Sequence, residues 1–336
     1  MARLILHIGT HKTATTTLQR TFKRNRALLA ERGVIYPEIG ASAGHHALVT
    51  HWFDMPQFAG LDRPIDAAWR TISERYAGTD ATVVLSSEEF SRGDRDRRVD
   101  FTELRALVSD FEDVKVLCLL REQAAFLQSI FLQMAKSHRQ VGMYWREFYD
   151  KTMKTRLASG LFLNYNQLYD HILTGFAPEE IIFLSYDAAC RAPGGVIGKI
   201  LEMTGAPLTA DDLDHGPPAN VSPEPLSFWA ARMIAGGHQI RPELLDAVGQ
   251  AIRRQFGEDC RTTIFNASEL RAVINHFDAA NRRFVERVAE VQPEFVLPPS
   301  RLTEDHVDRG QLTAGFWMTV ARMVYAESMQ SERESG

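Results

Sequence analysis

Short apolar runs along the chain predict a set of buried β-strands. The first run covers 4–8, and later runs cover 81–85, 114–120 and 181–184. Apolar residues follow one another in these runs instead of alternating with polar ones, which is typical of strands that are covered on both faces. A shorter extended piece at 33–36 stops at a proline. Each run ends at a glycine, a proline or polar residues, which places a loop at its carboxyl end.

Helical spacing of apolar residues fills the intervals between these runs. The predicted helices are 15–29, 68–76, 101–111, 126–134 and 195–203. Strands that alternate with helices predict a central parallel sheet with helices on both faces, which is a three-layer α/β fold.

Beyond Pro217 the pattern becomes entirely helical, at 225–236, 242–255 and 268–289. The Pro298-Pro299 pair separates a last apolar stretch at 312–325, which is shorter than the roughly 20 residues that span a bilayer. We therefore predict an α/β core at 1–217, a helical region packed on it at 218–297, and a C-terminal amphipathic helix and tail at 298–336, with no transmembrane segment.

Composition and charge limit the classes of function. The chain has 336 residues with a formal net charge of −5, and it is 45% hydrophobic. A protein that coats nucleic acid needs a basic face, so nucleic acid is not an expected partner. Three widely spaced cysteines match no metal-ligand spacing, and no secretory signal precedes the first strand, which indicates a cytoplasmic protein.

Candidate chemistry is expected at the loops after the strands, because parallel α/β sheets bind ligands at the carboxyl ends of their strands. The loop at 9–17 has the sequence Gly-Thr-His-Lys-Thr-Ala-Thr-Thr-Thr. The start of a helix offers unpaired N–H groups, and Lys12 adds a positive charge, so the loop is suited to a phosphate or sulfate. The alternative is that the threonines only cap and start the helix.

The same loop argues against a kinase or ATPase. A nucleoside-triphosphate P-loop has glycine directly before its lysine, and this chain has His11 there. Apart from Glu88 and Glu89, the ends of the second and third apolar strands also lack an acidic residue that would hold Mg²⁺. A kinase using ATP and Mg²⁺ and a non-catalytic nucleotide-binding protein remain the alternative functions.

A second anion site is predicted where the third strand ends. Arg121 follows that strand directly, and Ser129 lies eight residues later, about two helical turns into the next helix. Arginine offers a planar fork to phosphate oxygens, and serine adds a short donor. The alternative is that Arg121 pairs with Glu122 or Asp113.

These residues together resemble the sulfotransferase superfamily. The segment Thr10–Thr16 resembles its 5′-phosphosulfate-binding loop, commonly P-K-S-G-T-T, and Arg121 with Ser129 resembles its 3′-phosphate motif. The segment at 183–187 resembles a later strand of the family and the Y-E-D-L segment that follows it, and 195–205 resembles the next helix. The resemblance therefore covers about 1–206. The departures are Ala14 in place of the usual glycine and His11 where proline or arginine is common.

The resemblance implies a P-loop NTPase-like fold and a metal-independent sulfotransferase that uses PAPS (3′-phosphoadenosine-5′-phosphosulfate) and releases PAP. It implies that Lys12 and Glu88 are catalytic, with Glu88 as the general base and Glu89 or a histidine as the alternative. The residues implied to hold the donor are His11, Lys12, Thr13, Ala14, Thr15, Thr16, Thr17, Arg121 and Ser129.

The acceptor site is expected beside the second strand. His45, His46 and Glu89 are the candidate acceptor-binding residues, although adjacent histidines are also common in ordinary loops. The expected acceptor is a hydroxyl or amine on a small molecule, saccharide or glycolipid.

Overall fold

The computed structural model describes residues 2–55, 64–136, 144–217, 224–236 and 238–335. The strands within these ranges are Arg3–His7 (β1), Val34–Ile35 (β2), Thr82–Ser86 (β3), Asp113–Leu120 (β4), Leu157–Ala158 (β5), Leu161–Phe162 (β6) and Ile181–Ser185 (β7). The helices are Thr15–Arg24 (α1), Arg26–Glu31 (α2), Ile65–Tyr76 (α3), Phe101–Leu107 (α4), Gln123–Lys136 (α5), Trp145–Thr155 (α6), Tyr165–Ile172 (α7), Tyr186–Ala189 (α8), Gly195–Thr204 (α9), Pro225–Ala235 (α10), Pro242–Phe256 (α11), Ala267–Ala289 (α12) and Ala314–Ser335 (α13).

The central sheet has the strand order β2-β3-β1-β4-β7, and every neighbouring pair is parallel. The strand β1 lies in the middle, with Leu6 opposite Leu85 of β3 and Val116 of β4. The predicted parallel sheet is therefore confirmed. A short antiparallel hairpin of β5 and β6 lies outside it.

Two separate apolar cores cover the two faces of the sheet, because successive side chains of a strand point to opposite faces. In β1, Leu4 and Leu6 belong to one core and Ile5 to the other. Helices α3, α4 and α7 supply residues to the first core, whereas α1, α2 and α9 supply the second. These faces explain why the strands are apolar throughout, and they establish the three-layer α/β fold.

The helix predicted at 15–29 is two helices in the structure. The break falls at Asn25, which has φ −99° and ψ 19°. The Asn25 side-chain amide donates to the carbonyls of Thr21 (2.8 Å) and Asp214 (2.9 Å), and its oxygen accepts from the Asp214 N–H (3.0 Å). An asparagine that bonds backbone groups in this way competes with helix continuation. The partner is 189 residues away, so the apolar spacing alone could not reveal the break.

The chain forms two compact units that interleave along the sequence. The first consists of 1–122, 155–219 and 277–299 and contains the sheet. The second consists of 123–154, 220–276 and 300–336. Its apolar core includes Leu226 of α10, Val248 of α11 and Phe316 of α13. No helix in the described part of the chain is both long and apolar enough to cross a membrane.

The backbone at the free edge of the outer strand β7 is hydrogen-bonded by the side chain of Gln292. Gln292 accepts from the Phe183 N–H (3.0 Å) and donates to the Phe183 carbonyl (2.7 Å). The amide thus makes the pair of bonds that another strand would make, at an edge that otherwise offers unpaired backbone groups.

We expect Gln292→Ala to lower the free energy of unfolding by about 1–3 kcal/mol, because both backbone groups of Phe183 lose their partner. Urea denaturation measures this change. The matched control is Gln167→Ala, at an exposed glutamine of α7 in the same unit, which should stay within about 0.5 kcal/mol of the original protein. Equal effects of the two substitutions would show that the Gln292 bonds do not stabilise the edge.

Candidate active site

The loop between β1 and α1 is held at its start by β4. The pairing of β1 with β4 ends at His7 opposite Leu117, and β4 continues to Leu120. The Ile8 N–H donates to the Leu117 carbonyl (2.9 Å), and the Thr10 N–H (3.1 Å) and hydroxyl (2.8 Å) both donate to the Leu119 carbonyl. The loop therefore begins as an extension of the sheet, at its carboxyl edge.

Two non-glycine residues of this loop have left-handed backbone. Lys12 has φ 66° and Ala14 has φ 61°, and Ala14 is the residue before the first turn of α1. This conformation costs an L-residue about 1–2 kcal/mol. Backbone that leaves the right-handed region in this way is typical of the concave N–H arrays that bind anions and of strained functional sites.

The threonines of the loop differ in their surroundings. The buried Thr13 hydroxyl donates to the Thr10 carbonyl (2.6 Å), so it holds the loop together. The Thr15 hydroxyl is buried and has no hydrogen-bond partner among the described residues. Thr16 and Thr17 are exposed. Thr15 is thus the threonine of this set with an unused buried hydroxyl at the helix start.

Gly9 leaves space beside that hydroxyl. A Cβ at Gly9, which has φ 39°, would lie 3.1 Å from Thr15 Oγ1 and 3.2 Å from His7 Nε2. His7 Nε2 also lacks a partner within the described part of the chain, and burial lowers the pKa of His7 to about 4. The glycine therefore keeps two unpartnered polar atoms clear of a side chain.

Arg121 lies against the same loop. It follows β4, its Nη1 donates to the Lys12 carbonyl (3.4 Å), and its guanidinium carbon lies 5.4 Å from the centre of the Tyr186 ring. The Tyr165 hydroxyl donates to the Arg121 carbonyl. Arg121 Nε is buried and has no partner in the described ranges. The structure therefore brings Lys12 and Arg121 together.

Two further residues bear on the predicted second anion site, namely Asp113 and Ser129. Asp113, considered as a partner of Arg121, binds Arg3 with an N–O distance of 2.6 Å. Ser129 lies on α5 in the second unit and is half-buried. The pairing of Ser129 with Arg121 stays a prediction.

Glu88 begins a short 3₁₀ turn at the carboxyl end of β3. The turn covers Glu88–Ser91, and Ser87 caps it by accepting from the Glu89 N–H (3.3 Å). The half-buried Glu88 carboxylate accepts from Gln19 Nε2 of α1 (3.1 Å) and lies 3.9 Å from His46 Nδ1. These contacts place Glu88 between the helix that follows the loop and His46.

Glu89 has a different environment from its neighbour. It is buried, with Oε1 3.2 Å from His11 Nε2, and Arg92 donates to both of its oxygens. Burial alone would raise the pKa of Glu89, but the hydrogen bonds and charges of His11 and Arg92 outweigh it and lower the pKa to about 2. Glu89 is therefore an ionised carboxylate whose oxygens are occupied, and it is a weak base.

The two adjacent histidines, His45 and His46, also have different hydrogen-bond partners. His45 accepts at Nδ1 from the Ser86 N–H (2.8 Å), and its Nε2 donates to the Pro37 carbonyl (2.9 Å). Burial lowers the pKa of His45 to about 3, so it is neutral and leaves neither nitrogen for an acceptor. His46 Nδ1 lies 2.9 Å from the Ser87 hydroxyl. His46 is thus the histidine of this pair that lies near Glu88.

Sequence reasoning did not single out Gln19, Tyr186 or Arg92 as members of this cluster. Gln19 lies four residues after Thr15 and so on the same helix face, which is a signal available in the sequence. Arg92 belongs to a mixed-charge run that is typical of a solvated loop. Its contact with Glu89 is visible only in the structure. No group of three or more His, Cys, Asp or Glu side chains in the described residues is placed to hold a metal ion.

A family model for the sulfotransferase domain matches residues 96–216. This segment, about a third of the chain, is similar to the sulfotransferase domain. The match includes β4, Arg121 and β7, and it leaves the loop at 9–17 and the second-unit helices from α10 onward outside.

Solved sulfotransferase structures are similar to this one at low sequence identity. A sulfotransferase from Alicyclobacillus acidocaldarius has 15% identity and a TM-score of 0.41, over 70% of this chain and 94% of that chain. The sulfotransferase domain from the curacin biosynthetic pathway has 12% identity and a TM-score of 0.40, over 88% of this chain and 98% of that chain. No curated protein matches this chain.

The left-handed conformation of Ala14 can be tested by stability. We expect Ala14→Gly to leave the free energy of unfolding unchanged or to raise it by up to about 1 kcal/mol. The relief of backbone strain offsets the greater freedom of glycine in the unfolded chain. Ala279→Gly, at an exposed position within α12, should lower it by about 1 kcal/mol. Guanidinium denaturation measures both changes. A loss at Ala14 as large as that at Ala279 would contradict the left-handed assignment.

Proposed function

We propose that this protein is a sulfotransferase that transfers a sulfuryl group from PAPS to a hydroxyl or amine of a small-molecule, saccharide or glycolipid acceptor. The observation that carries the proposal is the order of the groups across the sheet. Arg121 follows β4, Lys12 follows β1 and Glu88 follows β3, and these strands are neighbours in the order β4-β1-β3. A donor that binds along this edge has its 3′-phosphate at Arg121 and its phosphosulfate in the loop, so the acceptor lies beside Glu88.

The residues of the loop and Arg121 fit a donor that has two separate anionic groups, a 3′-phosphate and a 5′-phosphosulfate. Lys12 and Arg121 supply charge, and the unpartnered Thr15 hydroxyl and Arg121 Nε supply donors whose oxygen partners a bound anion would provide. The backbone after Lys12 adds the N–H groups at the start of α1. His11, Thr13 and Ala14 shape the loop, Thr16 and Thr17 lie at the exposed side of the helix start, and Ser129 remains the proposed second ligand of the 3′-phosphate.

Recognition of a 3′-phosphate favours PAPS over ATP. Arg121 lies against the Lys12 carbonyl at 3.4 Å, so one ligand can reach both residues. The chain has His11 rather than glycine before Lys12, which departs from the loop of ATP-dependent kinases.

PAPS supplies an activated sulfuryl group on a 5′-phosphate leaving group. Glu88 takes the proton of the acceptor hydroxyl while the acceptor oxygen forms a bond to sulfur and the bond from sulfur to the bridging oxygen breaks. Lys12 stabilises the negative charge that develops on the bridging oxygen, and PAP leaves with that charge. Gln19 holds the Glu88 carboxylate through the bond to Oε2 (3.1 Å).

Glu88 is the base in this proposal because its neighbour is unsuited to the role. The pKa of Glu89 is about 2 and its oxygens are bound by His11 and Arg92, so it has little tendency to accept a proton. His46, close to Glu88, is the proposed contact for the acceptor.

We expect PAP to bind without added Mg²⁺, and Arg121→Ala to weaken this binding roughly 10- to 100-fold, as the loss of a charged hydrogen bond predicts. Isothermal titration calorimetry measures the dissociation constants. The control is Arg191→Ala, at an exposed arginine of the same unit, which should leave the affinity unchanged. Tight binding of ATP with Mg²⁺ and no binding of PAP would overturn the donor assignment.

We expect Glu88→Gln to lower kcat about 10²- to 10⁴-fold, since general-base catalysis contributes rate factors of that size. The affinity for PAP should stay the same, because Glu88 contacts the acceptor and not the nucleotide. Turnover is followed with radiolabelled PAPS on an acceptor found by screening saccharides, glycolipids, phenols and amines. Full activity of Glu88→Gln would show that another group is the base.

A further inference from the structure

Three side chains form a connected series next to the donor loop. His11 Nε2 lies 3.2 Å from Glu89 Oε1, and Arg92 donates through Nε and Nη2 to the Glu89 oxygens. Glu89 is 6% exposed. The series runs from the loop through the 3₁₀ turn after β3 to Arg92, and the mechanism above uses Glu89 and Arg92 in no step.

The far end of the series is tied to the β5–β6 hairpin. Arg92 Nη1 donates to the Ser159 carbonyl (3.2 Å), and the Gly93 N–H donates to the Gly160 carbonyl (2.8 Å). Ser159 and Gly160 both have left-handed backbone, with φ 52° and 80°, as a tight two-residue turn requires. Arg92 is therefore held at a fixed place, and Glu89 is held by Arg92.

The bond between His11 and Glu89 requires a proton on Nε2 of the imidazole. An ionised carboxylate only accepts hydrogen bonds, so Nε2 must be the donor. The remaining nitrogen, Nδ1, is buried and has no partner among the residues that the structure describes. Burial of a polar atom without a partner is unfavourable, which favours a ligand that supplies the partner.

The position of His11 indicates which part of the donor it meets. His11 directly precedes Lys12, and its partner Glu89 directly follows Glu88, the proposed base. His11 thus lies on the β3 side of the loop, whereas Arg121 lies on the β4 side. The sulfuryl group must lie between the loop and the base, which is the side of His11.

We propose that Glu89 and Arg92 are positioning residues that hold His11 with Nδ1 directed at the sulfuryl group of the bound donor. The proposal rests on the proposed function. Because sulfuryl oxygens only accept hydrogen bonds, the Nδ1 that meets them carries a proton, and His11 donates from both nitrogens. The Glu89 carboxylate balances the charge of this imidazolium, as the carboxylate does beside the histidine of hydrolase triads.

A purely structural role for the series predicts different behaviour. If Glu89 only stabilised the fold, its substitution would lower the melting temperature and act independently of His11. If it positions His11, its effect on the donor must disappear when His11 is absent, because coupled residues give non-additive changes. A comparison of PAPS with PAP distinguishes the structural role from the positioning role further, because only PAPS carries the sulfuryl group.

The experiment is a double-mutant cycle on nucleotide affinity, with PAPS and PAP titrated separately by calorimetry in the absence of acceptor. The variants are His11→Ala, Glu89→Gln and the double variant, with Arg92→Gln as a second test of the series. Arg95→Gln, at an exposed arginine of the same loop, is the matched control. Glu89→Gln keeps a side-chain oxygen that can accept the Nε2 proton, so this variant should fold. If Glu89→Gln does not fold, the PAPS and PAP affinities of His11→Ala provide the test.

We expect His11→Ala and Glu89→Gln each to weaken PAPS binding about 10-fold or more, as the loss of a charged hydrogen bond predicts. PAP binding should change by less than about threefold, and the double variant should bind PAPS no more weakly than His11→Ala. Additive effects of the two substitutions, or equal losses for PAP and PAPS, would overturn the inference. Failure of the unmodified protein to bind PAP or PAPS would instead overturn the proposed function.

Discussion

The site depends on β4 being longer than β1. Pairing between the two strands stops at His7 and Leu117, and the next residues of β4 bind the loop that follows β1 through the carbonyls of Leu117 and Leu119. These bonds hold the loop at the sheet edge before the chain turns into α1. A loop held in this way can keep Lys12 and Ala14 in left-handed backbone, because the surrounding structure determines the conformation that isolated residues would avoid.

The parallel arrangement then places different chemistry on the two sides of this loop. The end of β4 provides Arg121, and the end of β3 provides Glu88 and Glu89. Since strands in a parallel sheet end at the same edge, three loops that are distant in sequence lie at one edge of the sheet. The order of the strands determines which group meets which end of an extended ligand, and this is the physical basis of the proposed donor orientation.

Glu88 and Glu89 show how the environment assigns roles to identical side chains. Glu89 points to His11 and Arg92, which keep it ionised with a pKa of about 2. Glu88 is held by the neutral amide of Gln19 and lies 3.9 Å from His46. Paired carboxylates whose surroundings differ in this way are a recurring arrangement in enzymes that separate a base from an electrostatic support.

Apolar runs and their end points determined much of this protein from the sequence alone. They predicted the parallel α/β sheet and the loops that carry Lys12, Glu88 and Arg121, because strand burial and turn chemistry are local properties that a short window records. Those loops reach one edge by topology, which follows from the alternation of strands and helices.

The tertiary structure decided what depends on distant partners. Asn25 ends a helix because it meets Asp214, and Gln292 covers the edge of β7 at Phe183. The units interleave, so no linear division of the sequence shows which segments pack together. The contrast between Glu88 and Glu89 likewise arises from side chains that fold onto them. Periodicity shows which face of an element is buried, but the identity of the group that it meets is set only when the chain is packed.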